Sequence, residues 1–93
     1  MISLKLFGTI ATDFGGKTLD LKISSAKYTL KNLLLDLKNL NEYQFNTYFD
    51  NDYSPKRGTL ILINGVDFNT IDGLNSVLTP SDQVSIIPTI SGG

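Results

Sequence analysis

The sequence predicts an α+β fold, with a mixed sheet of about five strands and one main amphipathic helix packed across it. Three observations carry that expectation. Two runs near the start alternate polar and apolar residues around a glycine-bearing turn. A single leucine stripe at helical spacing follows them. The second half then returns to short apolar runs punctuated by Asn-Gly and proline turns. No internal repeat or compositional break divides the 93 residues, so they are read as one domain.

The elements follow in order. In Ile2-Ser3-Leu4-Lys5-Leu6-Phe7, the residues Ile2, Leu4 and Leu6 share one face and Phe7 falls on the other. Asp13-Phe14-Gly15-Gly16 is a turn cluster, and Lys17 to Ile23 alternates again, placing Leu19, Leu21 and Ile23 inward. Together they read as an antiparallel hairpin. Thr29 is positioned to cap a helix from about Leu30 to Leu40, with Leu30, Leu33, Leu34 and Leu37 on its apolar face and Leu40 one turn beyond. A short second helix around Glu42–Phe49 would let Phe45 and Phe49 cap the core. The other reading of residues 41–58 is an aromatic recognition surface; core capping is preferred because few cations accompany the rings. Thr59 to Asn64 is apolar on both faces, fitting either a covered central strand or a sheet that faces a partner. Asn64-Gly65 is a hairpin turn with Val66-Asp67-Phe68 as the return strand. Asn69 to Leu74 is loop or helical turn, Pro80 presets a tight turn, and Val84 to Pro88 is the last strand. Pro88 cannot donate to a ladder and marks its end.

Composition narrows the functional classes. The chain has no cysteine and no histidine, one glutamate (Glu42) and eight scattered aspartates. A thiolate nucleophile, a disulfide framework and the commonest general base are therefore excluded, and no metal-ligand spacing is present. A net charge of −1 argues against direct nucleic-acid binding. No apolar run approaches the roughly 18 residues of a membrane span, and no signal-peptide core is visible, so a cytoplasmic protein is expected. All eight Lys and Arg lie at or before Arg57, whereas Asp67, Asp72 and Asp82 are the only charged side chains after it. The end of the chain is thus expected to be mildly acidic and suited to a basic partner, unless the asymmetry is a small-sample accident.

The chain ends in Ser91-Gly92-Gly93. Two glycines and a free carboxylate after an apolar strand look like a segment made to enter a narrow channel, since glycines present no side chain and accept any φ. With the Leu4-Lys5-Leu6-Phe7-Gly8-Thr9 start, the Leu62-Ile63-Asn64-Gly65 centre and the Asp82-Gln83-Val84-Ser85-Ile86-Ile87-Pro88 strand, that ending resembles the ubiquitin-like β-grasp family. The resemblance is closest to its sulfur-carrier branch: the molybdopterin-synthase small subunit, the thiamine sulfur carrier and the ubiquitin-related modifier. It spans the whole chain. One departure is Ala11-Thr12, where many small subunits carry an Arg-Glu pair.

The resemblance implies a β-grasp domain over residues 1–90 and a Ser-Gly-Gly tail over 91–93. It implies a carrier or modifier, not an enzyme. An activating enzyme using ATP and magnesium would adenylate Gly93, with Gly92 and Ser91 as the threading segment. The carboxylate would then become a thiocarboxylate that donates sulfur for molybdopterin or tRNA thiolation, or be joined to target-protein lysines. Partners would be the activating enzyme together with a sulfur donor and acceptor, or the modified proteins. Neither nucleic acid nor membrane would be contacted directly. Phe7, Leu60, Leu62 and Ile86 are the candidate partner surface, on the condition that their side chains are exposed. The competing reading is a β-grasp interaction module whose glycine tail is inert. If lysines are modified, trypsin should leave the peptide 58–93 on them, because no Lys or Arg follows Arg57. Peptide mass spectrometry searching for that branched mass, and not for a diglycine remnant, checks this expectation.

Overall fold

The computed structural model describes residues 1–23 and 26–88. Its elements are β1 (Ile2–Leu6), α1 (Gly8–Asp13), β2 (Thr18–Leu21), α2 (Leu30–Leu40), α3 (Glu42–Tyr48), β3 (Thr59–Ile63), β4 (Val66–Asp67) and β5 (Gln83–Pro88). Two 3-10 turns, Phe68–Thr70 and Gly73–Asn75, link β4 to β5. The sheet order is β2-β1-β5-β3-β4. β5 runs parallel to β1 and antiparallel to β3, so the last strand in sequence is the middle strand in space. This is the ubiquitin-like β-grasp architecture that the sequence predicts.

Alternation decides the faces. Leu4 pairs with Val84, and Leu6 pairs with Ile86, which in turn pairs with Ile61; all of these are buried. They form the floor on which α2 lays Leu30, Leu33, Leu34 and Leu37, each fully buried. Thr29 caps α2 as expected: its hydroxyl accepts from Asn32 N, and the Asn32 side chain accepts from Thr29 N. Leu40 departs from the stripe and is exposed, because the helix ends there and Asn41 starts α3, its side chain accepting from Gln44 N. Leu19, Leu21 and Ile23 are half-buried, as befits an edge strand with one neighbour.

The 41–58 stretch caps the core. Phe45, Tyr48 and Phe49 are buried, and the Phe45 and Phe49 rings stack at 4.5 Å. Tyr43 stays exposed, while Tyr53 is half-buried with the Lys31 and Lys38 ammoniums 5.6 and 5.5 Å from its ring centroid.

One element is new. Residues 8–13, which the sequence left within the hairpin connection, form α1. A six-residue helix with only Ile10 and Ala11 buried is too short to show a period. It is held from outside: the buried Tyr48 hydroxyl of α3 donates to the Asp13 carboxylate and lies 2.8 Å from Thr9 Oγ1. Among the described residues no helix is long and apolar enough to cross a membrane.

Burial, and then the neighbouring carboxylate, pushes the Tyr28 hydroxyl far above the ordinary phenol range, through its bond to Asp36; Tyr48 is raised in the same way beside Asp13. In the folded chain both hydroxyls therefore ionise less readily than an ordinary phenol. A raised folded pKa stabilises fully below the unfolded value near 10 and is lost as pH climbs above it. Stability should therefore hold to about pH 10 and then fall, with phenolate absorbance from these two residues appearing at higher pH than from an ordinary tyrosine. Denaturant midpoints measured against pH check this; Tyr28→Phe should cost about 1 kcal/mol at neutral pH and flatten the alkaline limb.

Candidate functional site: the exit of the last strand

Residues 89–93 lie outside the described part, and with them Ser91, Gly92 and Gly93. The structure does define the point from which they depart. β5 is anchored at its beginning by a polar clasp. Asn64 has φ 53 and Gly65 φ 82, the left-handed pair that a tight hairpin demands. From that turn the Asn64 side chain donates to Asp82 Oδ1 (2.8 Å) and accepts from Gln83 N (2.9 Å). Asp82 also accepts from Thr79 N at 2.8 Å. These bonds, the Asn64 amide foremost, hold the Asp82 carboxyl below its usual range.

At its far end β5 finishes on Pro88, which pairs with Thr59 of β3. On the other side stands Gly8, the first residue of α1, with φ +63. A Cβ placed on Gly8 would lie 3.4 Å from Pro88 Cγ and 3.9 Å from its carbonyl oxygen. Glycine is favoured here by the left-handed φ, while a Cβ would come only into ordinary van der Waals contact with Pro88. The chain therefore leaves between the start of β3 and the start of α1.

Around that exit the outward sheet face is apolar. Phe7 and Leu60 are 44% and 42% exposed, and Leu62 is half-buried on the same side. Ile86 is corrected: it is fully buried, because the register Leu6–Ile86–Ile61 lies on the core side. Its outward counterpart is Ile87, paired with Leu60 and half-buried. Phe7 continues β1 by donating its N–H to Ile86 O (3.1 Å), so Phe7, Ile87 and Leu60 form one transverse row beside the exit. Sequence reasoning missed Ile87 by one position; strand parity counted from Val84, the residue opposite Leu4, finds it.

The charge expectation also changes. Asp82 precedes β5, roughly 20 Å of strand from Pro88, and Asp67 sits on β4 beside Leu62. Cations from earlier in the chain also lie near this end of the sheet. Lys17 accepts Leu6 N through its carbonyl, and Lys5 projects outward on β1. Lys56 and Arg57 lie just ahead of Thr59, the partner of Pro88. Pairing β5 with β1 thus sets Lys5 and Lys17 on one side of the last strand, whereas the Lys56 ammonium donates to the Asn46 carbonyl (2.6 Å). On the β1 side, Phe7, Gly8, Ala11, Gly16, Lys5 and Lys17 line an open groove of about 960 Å³.

Comparison with known proteins gives a consistent picture. The family model described as Urm1 (Ubiquitin related modifier) matches residues 3–93. A putative sulfur carrier protein of Archaeoglobus fulgidus is 28% identical over 74 residues, 80% of this chain and 84% of the other. The solution structure of small archaeal modifier protein 1 from Methanosarcina acetivorans superimposes with a TM-score of 0.79 at 28% identity, covering 99% of this chain and 95% of that one. A chain in the Amycolatopsis orientalis BexX/CysO complex matches in fold, with TM-score 0.78, 18% identity and full coverage of both chains.

Gly8→Ala and Gly65→Ala should each cost about 1–2 kcal/mol, since both glycines hold a left-handed φ. Gly8→Val should cost more than Gly65→Val, because only at position 8 does a branched side chain meet Pro88. Chemical denaturation of the four variants measures the difference.

Proposed function

The chain belongs to the Urm1 (ubiquitin related modifier) family, and from that premise we propose that its working group is the Gly93 carboxylate, activated by a partner enzyme. A protein of this family is a ubiquitin-like sulfur carrier or modifier, acted on by other enzymes and not itself a catalyst. The finer chemistry is our reading. A carboxylate is a poor electrophile until one oxygen becomes a good leaving group. Attack of the Gly93 carboxylate on the α-phosphorus of ATP, with magnesium supplied by the activating enzyme, would form an acyl-adenylate and release pyrophosphate. Hydrosulfide, delivered by the sulfur donor, would then displace AMP and leave a thiocarboxylate. A lysine amine of a target protein, attacking the acyl-adenylate carbonyl, would instead expel AMP, form an isopeptide and lose a proton.

The observation that carries the proposal is the seating of β5. A strand hydrogen-bonded on both sides, closed by Asn64–Asp82 at one end and Gly8–Pro88 at the other, fixes where residues 89–93 begin. Ser91 and Gly92 would thread the partner's channel while the Phe7–Ile87–Leu60 row, with Leu62, docks on its surface. Docking of the folded body would offset the entropy of ordering the tail. The chain has no cysteine of its own, so covalent sulfur is best accommodated at that carboxylate.

Intact mass of the protein isolated without reductant, beside a deletion of Gly92 and Gly93, tests the proposal. One oxygen replaced by sulfur, absent from the deletion, is the expected result for a carrier. Higher-mass adducts that vanish with the deletion favour conjugation to proteins. If neither species appears and the deletion has no effect, the chain is an interaction module with an inert tail. Leu60→Ala with Phe7→Ala should weaken activation by about tenfold while leaving the fold intact.

A further inference from the structure

The groove beside the exit carries more than apolar contact. One wall is Phe7 and the buried Ala11; another is the Gly15–Gly16 turn, which presents no side chain. A Cβ built on Gly15 would meet nothing within 4 Å, so a partner backbone can approach closely there. Two of the lining residues, Lys5 and Lys17, are exposed, and neither ammonium has a carboxylate partner among the described residues. Among the described residues no acidic side chain lines the groove.

We propose that this groove docks an acidic segment of the activating partner: an apolar side chain set against Phe7 and Ala11, flanked by carboxylates that pair with Lys5 and Lys17. Charge complementarity selects the occupant, because an apolar trough walled by two unpaired cations repels a basic segment and leaves a neutral one without ionic partners. Continuity selects the place. Phe7 belongs both to the groove and to the row at the exit, so an enzyme holding the tail reaches the groove across one uninterrupted surface. Exposed lysines contribute more to encounter rate and register than to final affinity, and their effect is screened by salt.

The partner's identity rests on the carrier reading, but the binding chemistry can be tested without it. The probe is a blocked peptide, Asp-Glu-Phe-Asp-Glu, titrated into the full chain with backbone amide NMR shifts as the readout. Its analogue with lysine at all four acidic positions is the comparison. The expected result is saturable shifts at Phe7, Gly8, Ala11, Gly15 and Gly16 with the acidic peptide only. Binding should weaken several-fold between about 50 and about 500 mM salt. Lys5→Gln with Lys17→Gln should weaken it about tenfold, whereas Lys22→Gln, outside the groove, should leave it unchanged. Equal response to both peptides, no groove shifts at a few mM, or indifference to the double variant overturns the proposal. A thiocarboxylate at Gly93 with no peptide response removes the groove alone. A peptide response in a chain that never carries sulfur leaves the groove and removes the carrier reading.

Discussion

Everything in this molecule hangs on the pairing of β5 with β1 on one side and β3 on the other. Parallel pairing of the last strand with the first closes the sheet around the C-terminal segment, and it requires that strand to cross the centre of the fold. Contacts of such long sequence separation carry a loop-closure cost that must be offset by burial. Val84 and Ile86 meet that requirement, each wholly enclosed between the sheet's neighbours and the leucines of α2. A less apolar final strand would leave the sheet in two halves, β2-β1 and β3-β4. The central strand, held on both sides, is thus the one immediately before residues 89–93.

The two faces of β5 divide the labour. Inward residues build the core and have no freedom to contact anything else. Outward residues meet Phe7 and Lys5 from one neighbour and Leu60 and Leu62 from the other, so the surface at the exit is a mosaic that no single segment encodes. Apolar side chains of β3 and the cationic Lys5 and Lys17 of β1 and the 15–18 turn lie on either side of β5. A partner reading all three elements together would distinguish this chain from one that merely ends in glycines.

Polar groups act as locks at the rim. Asn64 and Asp82 close one end of β5, and Tyr48, reaching from α3 to Asp13, holds α1 so that Gly8 meets Pro88 at the other. Neither lock is an exposed ion pair, whose contribution would be small. Each is a hydrogen bond from a neutral donor to a carboxylate, stronger than a neutral pair, and the Tyr48 hydroxyl is buried. The aromatic stretch that resisted interpretation in the sequence therefore serves the architecture. Phe45 and Phe49 seal the core, and Tyr48 extends that seal to the helix beside the exit.

Much was legible in the chain because it is local. Alternation in residues 2–7 and 17–23, the leucine spacing of α2, the Thr29 cap and the Asn64-Gly65 turn each follow from short-range stereochemistry, and the structure keeps all of them. What lay beyond reach depends on neighbours distant in sequence. α1 is too short to announce itself and exists because Tyr48 and the sheet hold it. Ile87 replaces Ile86 on the outward face because parity is set by pairing with β1 and β3. Lys5 comes to lie alongside β5, beside a segment whose own charged side chains are all acidic, because β1 pairs with it. By itself the sequence determined the elements other than α1, since those rest on backbone preference and periodicity, and it shows the diglycine end directly. Only the tertiary structure decided which side chains surround the exit and with what charge, because strand order, unlike strand formation, is settled by burial across the whole chain.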